Sequence, residues 1–160
     1  MTNDLREWVM TASTRAEVRQ EIRGLYADLQ LEIDRRQPLC VMSGRCCRFD
    51  EYGHRLYVTT AELAAFTAEL ADLKPLTPRS GAEPSAGAGG CPFQTGKICR
   101  VHLIRPMGCR VFFCDPTAKD WQTEVYERFH ARLKNLHDRL SIPYAYVEWR
   151  FACQAVGWQL

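Results

Sequence analysis

Residues 91–114 read CPFQTGKICRVHLIRPMGCRVFFC, with cysteines at 91, 99, 109 and 114. Neither the 3.6-residue nor the two-residue apolar period runs through this stretch, so it predicts an irregular loop. Pro92 and Pro106 stiffen it, and Gly108 allows a tight turn beside Cys109. Irregular backbone can aim several thiols at one point, whereas a regular helix or strand aims only a few. A second such stretch lies upstream, Cys40-x5-Cys46-Cys47, with Gly44 at its turn. Seven of the eight cysteines therefore fall in two short loops, and Cys153 stands apart.

Helical patterns frame these loops. Over residues 14–36, Val18, Ile22, Leu25, Tyr26, Leu29 and Ile33 form one apolar stripe, with Thr14 and Glu17 as a capping box. Pro38 stops that helix, and a shorter piece precedes it around Asp4 to Met10. Arg55 to Thr59 predicts a short strand. Thr59 and Glu62 offer a second capping box opening a helix over 60–73. Residues 74–90, rich in Pro, Gly, Ala and Ser, predict a flexible loop or lid within one domain. Asp115 to Thr117 can cap a last helix over 118–140, where Trp121, Val125, Phe129, Leu133, Leu136 and Leu140 share a face. Alternation from Tyr144 to Phe151 predicts a final strand. The expected fold is mainly α, a single domain over 1–160. Three to four helices frame two Cys loops, with room for a short β-ribbon.

The 160 residues suffice to bury a core without a covalent staple. Hydrophobic and charged fractions of 46% and 25% exclude a disordered, collagen-like or coiled-coil chain. A net charge of +2 gives no footprint for nucleic acid or a membrane surface. No apolar run approaches the roughly 20 residues of a membrane span. The first residues, MTNDLREW, lack a signal core. The chain is therefore expected in the cytoplasm, where clustered cysteines bind metal or do redox chemistry more often than they form disulfides.

Thiolates suit zinc, Cu(I) and iron–sulfur clusters. Cys46, Cys47, Cys91, Cys99 and Cys109 are the leading ligand candidates, followed by Cys40 and Cys114. Only Cys109-x4-Cys114 has the spacing usual for structural zinc, and the common ferredoxin runs are absent. Successive side chains tend to diverge, so Cys46 and Cys47 are awkward for one tetrahedral ion, one ligating while the other packs or reaches a second metal. Cys153 is expected as a buried small hydrophobe. Arg45, Arg48, Arg100, Arg105 and Arg110 lie near the loops and could offset thiolate charge. Arg105 and Arg110 flank Cys109 and are the candidates for binding a cofactor or an anionic substrate. His102, three residues after Cys99, is read as a loop residue, with mixed ligation the alternative. His130 and His137 are read as surface or core-edge residues.

The ordered boxes Ser43-Gly44-Arg45-Cys46-Cys47, Thr59-x-x-Glu62, Cys91-Pro92-Phe93 and Arg105-Pro106-x-x-Cys109-Arg110 resemble the YkgJ-like, CxxCxxCC-type zinc- or iron-chelating proteins. The resemblance covers roughly residues 40–114. Ser43 departs from it, standing where the family commonly has its second cysteine. Cys40 or Cys114 would then supply the missing thiolate. The resemblance implies a metal-chelating domain. A related module in flagellin lysine methylases, which look like iron–sulfur proteins, favours iron–sulfur over zinc. The expected function is metal binding by thiolates from two loops. An iron–sulfur-dependent redox or group-transfer enzyme and a structural zinc module contacting a protein partner are the alternatives.

Overall fold

A computed structural model describes residues 2–41, 43–73 and 89–158. The stripe of Val18, Ile22, Leu25, Leu29 and Ile33 is buried along α2 (Ala16–Arg36), after α1 (Thr2–Ser13). The expected capping box of α2 does not form. Arg15 is the N-cap, without a side-chain cap, and its guanidinium takes Glu17 in an ion pair. The helix closes on Gln37 in the left-handed region (φ 50°), one residue before Pro38.

A short helix α3 (Phe49–Tyr52) follows the first Cys loop, and β1 (Tyr57–Thr59) leads directly into α4 (Thr60–Asp72). Here the expected capping box is complete: Thr59 accepts from the Glu62 N–H, and Glu62 accepts from the Thr59 N–H. The loop expected at 74–90 lies, up to residue 88, outside the described residues. The second Cys stretch is more regular than its pattern predicts. It holds β2 (Gln94–Thr95), β3 (Ile98–Cys99) and α5 (Met107–Val111). Gly96 takes φ 61° at the turn between β2 and β3, a conformation glycine adopts without steric cost.

The helix expected at 118–140 is α6 (Lys119–Leu140), burying Val125, Phe129, Leu133 and Leu136. Asp115 caps the 3-10 turn Pro116–Ala118 that leads into it. The final strand is only β4 (Tyr146–Glu148), paired antiparallel with β1. Glu148 then accepts from the Phe151 N–H and starts α7 (Trp149–Val156), so α6 is not the last helix. Alternation over 144–151 could not reveal this cap. Among the described residues there are thus seven α-helices, not three to four, and two small ribbons instead of one. Two of the extra helices are single turns, too short to show a period.

One core joins α2, α4, α5 and α6; the other gathers α1, α4 and α7 around Phe66, Phe93 and Trp149, with the Cys loops against it. Among the described residues no helix is long and apolar enough to cross a membrane.

His137 is buried, not at the core edge. Its Nδ1 donates to the Ile142 carbonyl (3.1 Å), and its Nε2 accepts from the Ala61 N–H (3.3 Å). Acceptance at Nε2 requires the neutral ring, and burial lowers its pKa below the ordinary 6.5. The unfolded chain therefore binds a proton that the folded one excludes. Stability should be full above about pH 6.5 and fall as pH drops below it, with His102 and His130 adding in the same direction. Thermal melts from pH 7.5 to 5.5 should show this decline, and His137→Asn should flatten it. An unchanged slope in the variant would exclude His137 as the cause.

Candidate metal centre

The two Cys loops are joined through their backbones. The Cys91 N–H donates to the Cys47 carbonyl at 2.7 Å. The Gln94 amide donates to the Gly44 carbonyl at 3.0 Å. Gly44 adopts φ 74°, and a Cβ there would lie 2.8 Å from Gln94 Nε2 and 3.2 Å from Lys97 Cα. A larger residue would push the β2–β3 hairpin away from the first loop. Gly44 also opens the 3-10 turn Arg45–Cys47, whose tight winding overrides the expected divergence of adjacent side chains. Cys46 Sγ and Cys47 Sγ lie 3.9 Å apart. Sulfurs held tetrahedrally at about 2.3 Å from one metal would be about 3.8 Å apart.

Four thiols gather here. Cys47, buried, contacts the Cys46 thiol and interacts with those of Cys91 and Cys99. It holds the proton: these interactions push its own pKa far up and pull the other three down, Cys46 to about 6 and Cys99 to about 7. The charge of Arg105 assists at Cys46 and Cys99. The Phe93 N–H and the Trp149 indole assist at Cys91. Burial keeps Cys109 protonated beside the group, where it feels the charges of Cys46, Cys91 and Cys99.

The remaining candidates lie elsewhere. Cys114 faces Ser43, Sγ to Oγ 3.7 Å. Cys40 is exposed, with no thiol partner among the described residues. Cys153 is buried in α7, in the core beside Cys91, as a small hydrophobe. His102 is exposed on a loop turn. Arg110 stacks 4.3 Å over the Tyr26 ring and donates to the Arg105 and Leu103 carbonyls, stapling the loop that brings Arg105 to the thiols. Arg45 lies over Tyr52, and Arg48 pairs with Glu51.

Two contributors were not foreseen from sequence. Trp149 donates its indole N–H to Cys91 Sγ at 3.3 Å, from a segment whose pattern reads as strand. Glu62, expected only as a cap, also accepts from the Met107 N–H (2.9 Å) and the Tyr26 hydroxyl (3.1 Å). It therefore fixes the start of α5, which carries Cys109.

As it stands, Cys46 and Cys47 are in direct sulfur–sulfur contact. Among the described residues no three His, Cys, Asp or Glu are arranged to hold a metal ion. Comparison of the chain with protein-family models, with curated proteins and with solved structures returned no match.

Proposed function

We propose that this chain is a metal-binding protein, with Cys46, Cys47, Cys91 and Cys99 as thiolate ligands of an iron–sulfur cluster or a zinc ion. The observation that carries this is the convergence of four thiols from two loops on Cys47. The donor set is all sulfur, as soft metals require. A bound cation would displace the Cys47 thiol proton. Cys109 stands beside the four as a fifth thiol. That surplus, together with the resemblance to YkgJ-like proteins and their methylase relatives, favours the cluster over zinc. A cluster would supply electron transfer or Lewis acidity. The chain's own residues bind and tune: Arg105 offsets thiolate charge, and Trp149 gives Cys91 an N–H donor.

Trp149 also reports on the site. Its emission should change when metal-free protein is titrated with zinc or ferrous iron. Trp149→Phe should remove most of that change while keeping the metal stoichiometry. Cys99→Ser should abolish both, and Cys40→Ser neither. Full metal retention in Cys99→Ser would overturn the ligand assignment.

A further inference from the structure

A cleft of about 360 Å³ opens beside the thiols, with Cys46 and Cys109 in its wall. That volume is near the small end of ligand sites, about 300–1,000 Å³. Tyr57, Phe112, Tyr126 and Tyr146 also line the cleft. Tyr57 and Tyr146 stack at 5.1 Å, the Tyr126 and Tyr146 hydroxyls are bonded to each other, and Phe112 stacks on His54 at 4.6 Å. Such walls favour a flat, apolar body. The wall also holds one fixed cation, beside the acidic Cys46 thiol. Arg55 lines the cleft, exposed and without an ion pair among the described residues, and no described lining residue is Asp or Glu.

We propose that this cleft binds a small aromatic carboxylate, its ring among Tyr57, Tyr126 and Tyr146 and its carboxylate on Arg55. Charge and flatness are both needed: inorganic phosphate would waste the aromatic walls, and a neutral ring would leave Arg55 unused. Binding itself needs no metal. Only its meaning, as a substrate or effector held against the centre, rests on the metal-binding proposal.

The test is an NMR titration of the whole chain, following backbone amides, with benzoate as probe. Benzyl alcohol and cyclohexanecarboxylate separate charge from flatness. Benzoate should shift the amides of Tyr57, Thr123 and Tyr146 and bind more tightly than either comparison probe. Arg55 is exposed, so Arg55→Ala should fold normally. It should weaken benzoate about tenfold, the loss of one exposed charge-assisted bond, and leave benzyl alcohol unchanged. No shift at millimolar benzoate, shifts only elsewhere, or equal affinity in Arg55→Ala would each overturn the inference. Metal content measured on the same samples keeps the two proposals apart. Benzoate binding to protein that cannot be loaded with metal would sustain the cleft and overturn the metal centre. Metal-loaded protein that ignores benzoate would overturn the cleft alone.

Discussion

Cys47→Ser should strip the protein of its metal, with the largest effect of any single cysteine change. Cys47 lies 3.9 Å from Cys46, its thiol interacts with those of Cys91 and Cys99, and it lies on the backbone bridge that joins the loops. Even partners that only support a ligand typically cost about 10–100-fold in affinity when removed, so loss of this thiolate should exceed about 100-fold. Metal held at 100 times its dissociation constant stabilises the fold by about 2.7 kcal/mol. The variant should therefore melt about 5–10 °C below metal-loaded wild type, and close to metal-free wild type. Elemental analysis and thermal melts read both effects. A variant that keeps full metal and the wild-type melt would remove Cys47 from the centre.

Glu62→Ala should cost the most in stability, by about 3–4 kcal/mol. Buried in the start of α4, this carboxylate accepts from the Thr59 N–H (2.9 Å), the Thr59 hydroxyl (3.1 Å), the Met107 N–H and the Tyr26 hydroxyl. Alanine would orphan all four donors in the core at about 1–3 kcal/mol each. Relief of desolvation, which raises the Glu62 pKa, offsets part of that sum. The midpoint should fall by about 10 °C. Glu62→Gln preserves the volume but turns an amide nitrogen toward a donor, and should cost about 2 kcal/mol. A neutral Glu62→Gln would show that only the filled space matters.

The long helices α2 and α6 and the Thr59–Glu62 cap were legible in the sequence because each rests on local chemistry: a 3.6-residue stripe or a box of four residues. The gathering of Cys46, Cys91 and Cys99 was legible only as an expectation from residue type. What makes it possible is not local. Gly44 must let the β2–β3 hairpin approach, and Cys91 must bond across to Cys47. The divergence expected of Cys46 and Cys47 failed because a 3-10 turn winds more tightly than strand or loop. Trp149 escaped because the Glu148 cap turns an alternating segment into a helix, and only that helix carries the indole to Cys91. Sequence could not show that Arg110, a candidate anion binder, also donates to loop carbonyls fixed by tertiary packing.

The most direct test of the central claim is metal and acid-labile sulfide analysis, with a visible spectrum, on protein purified without oxygen. Iron with labile sulfide and broad visible absorption is the expected result, lost together in Cys47→Ser. Zinc without sulfide would keep the thiolate centre and replace the cluster. Protein without metal, which takes up neither zinc nor iron and whose thiols stay free or pair as disulfides, would contradict the account.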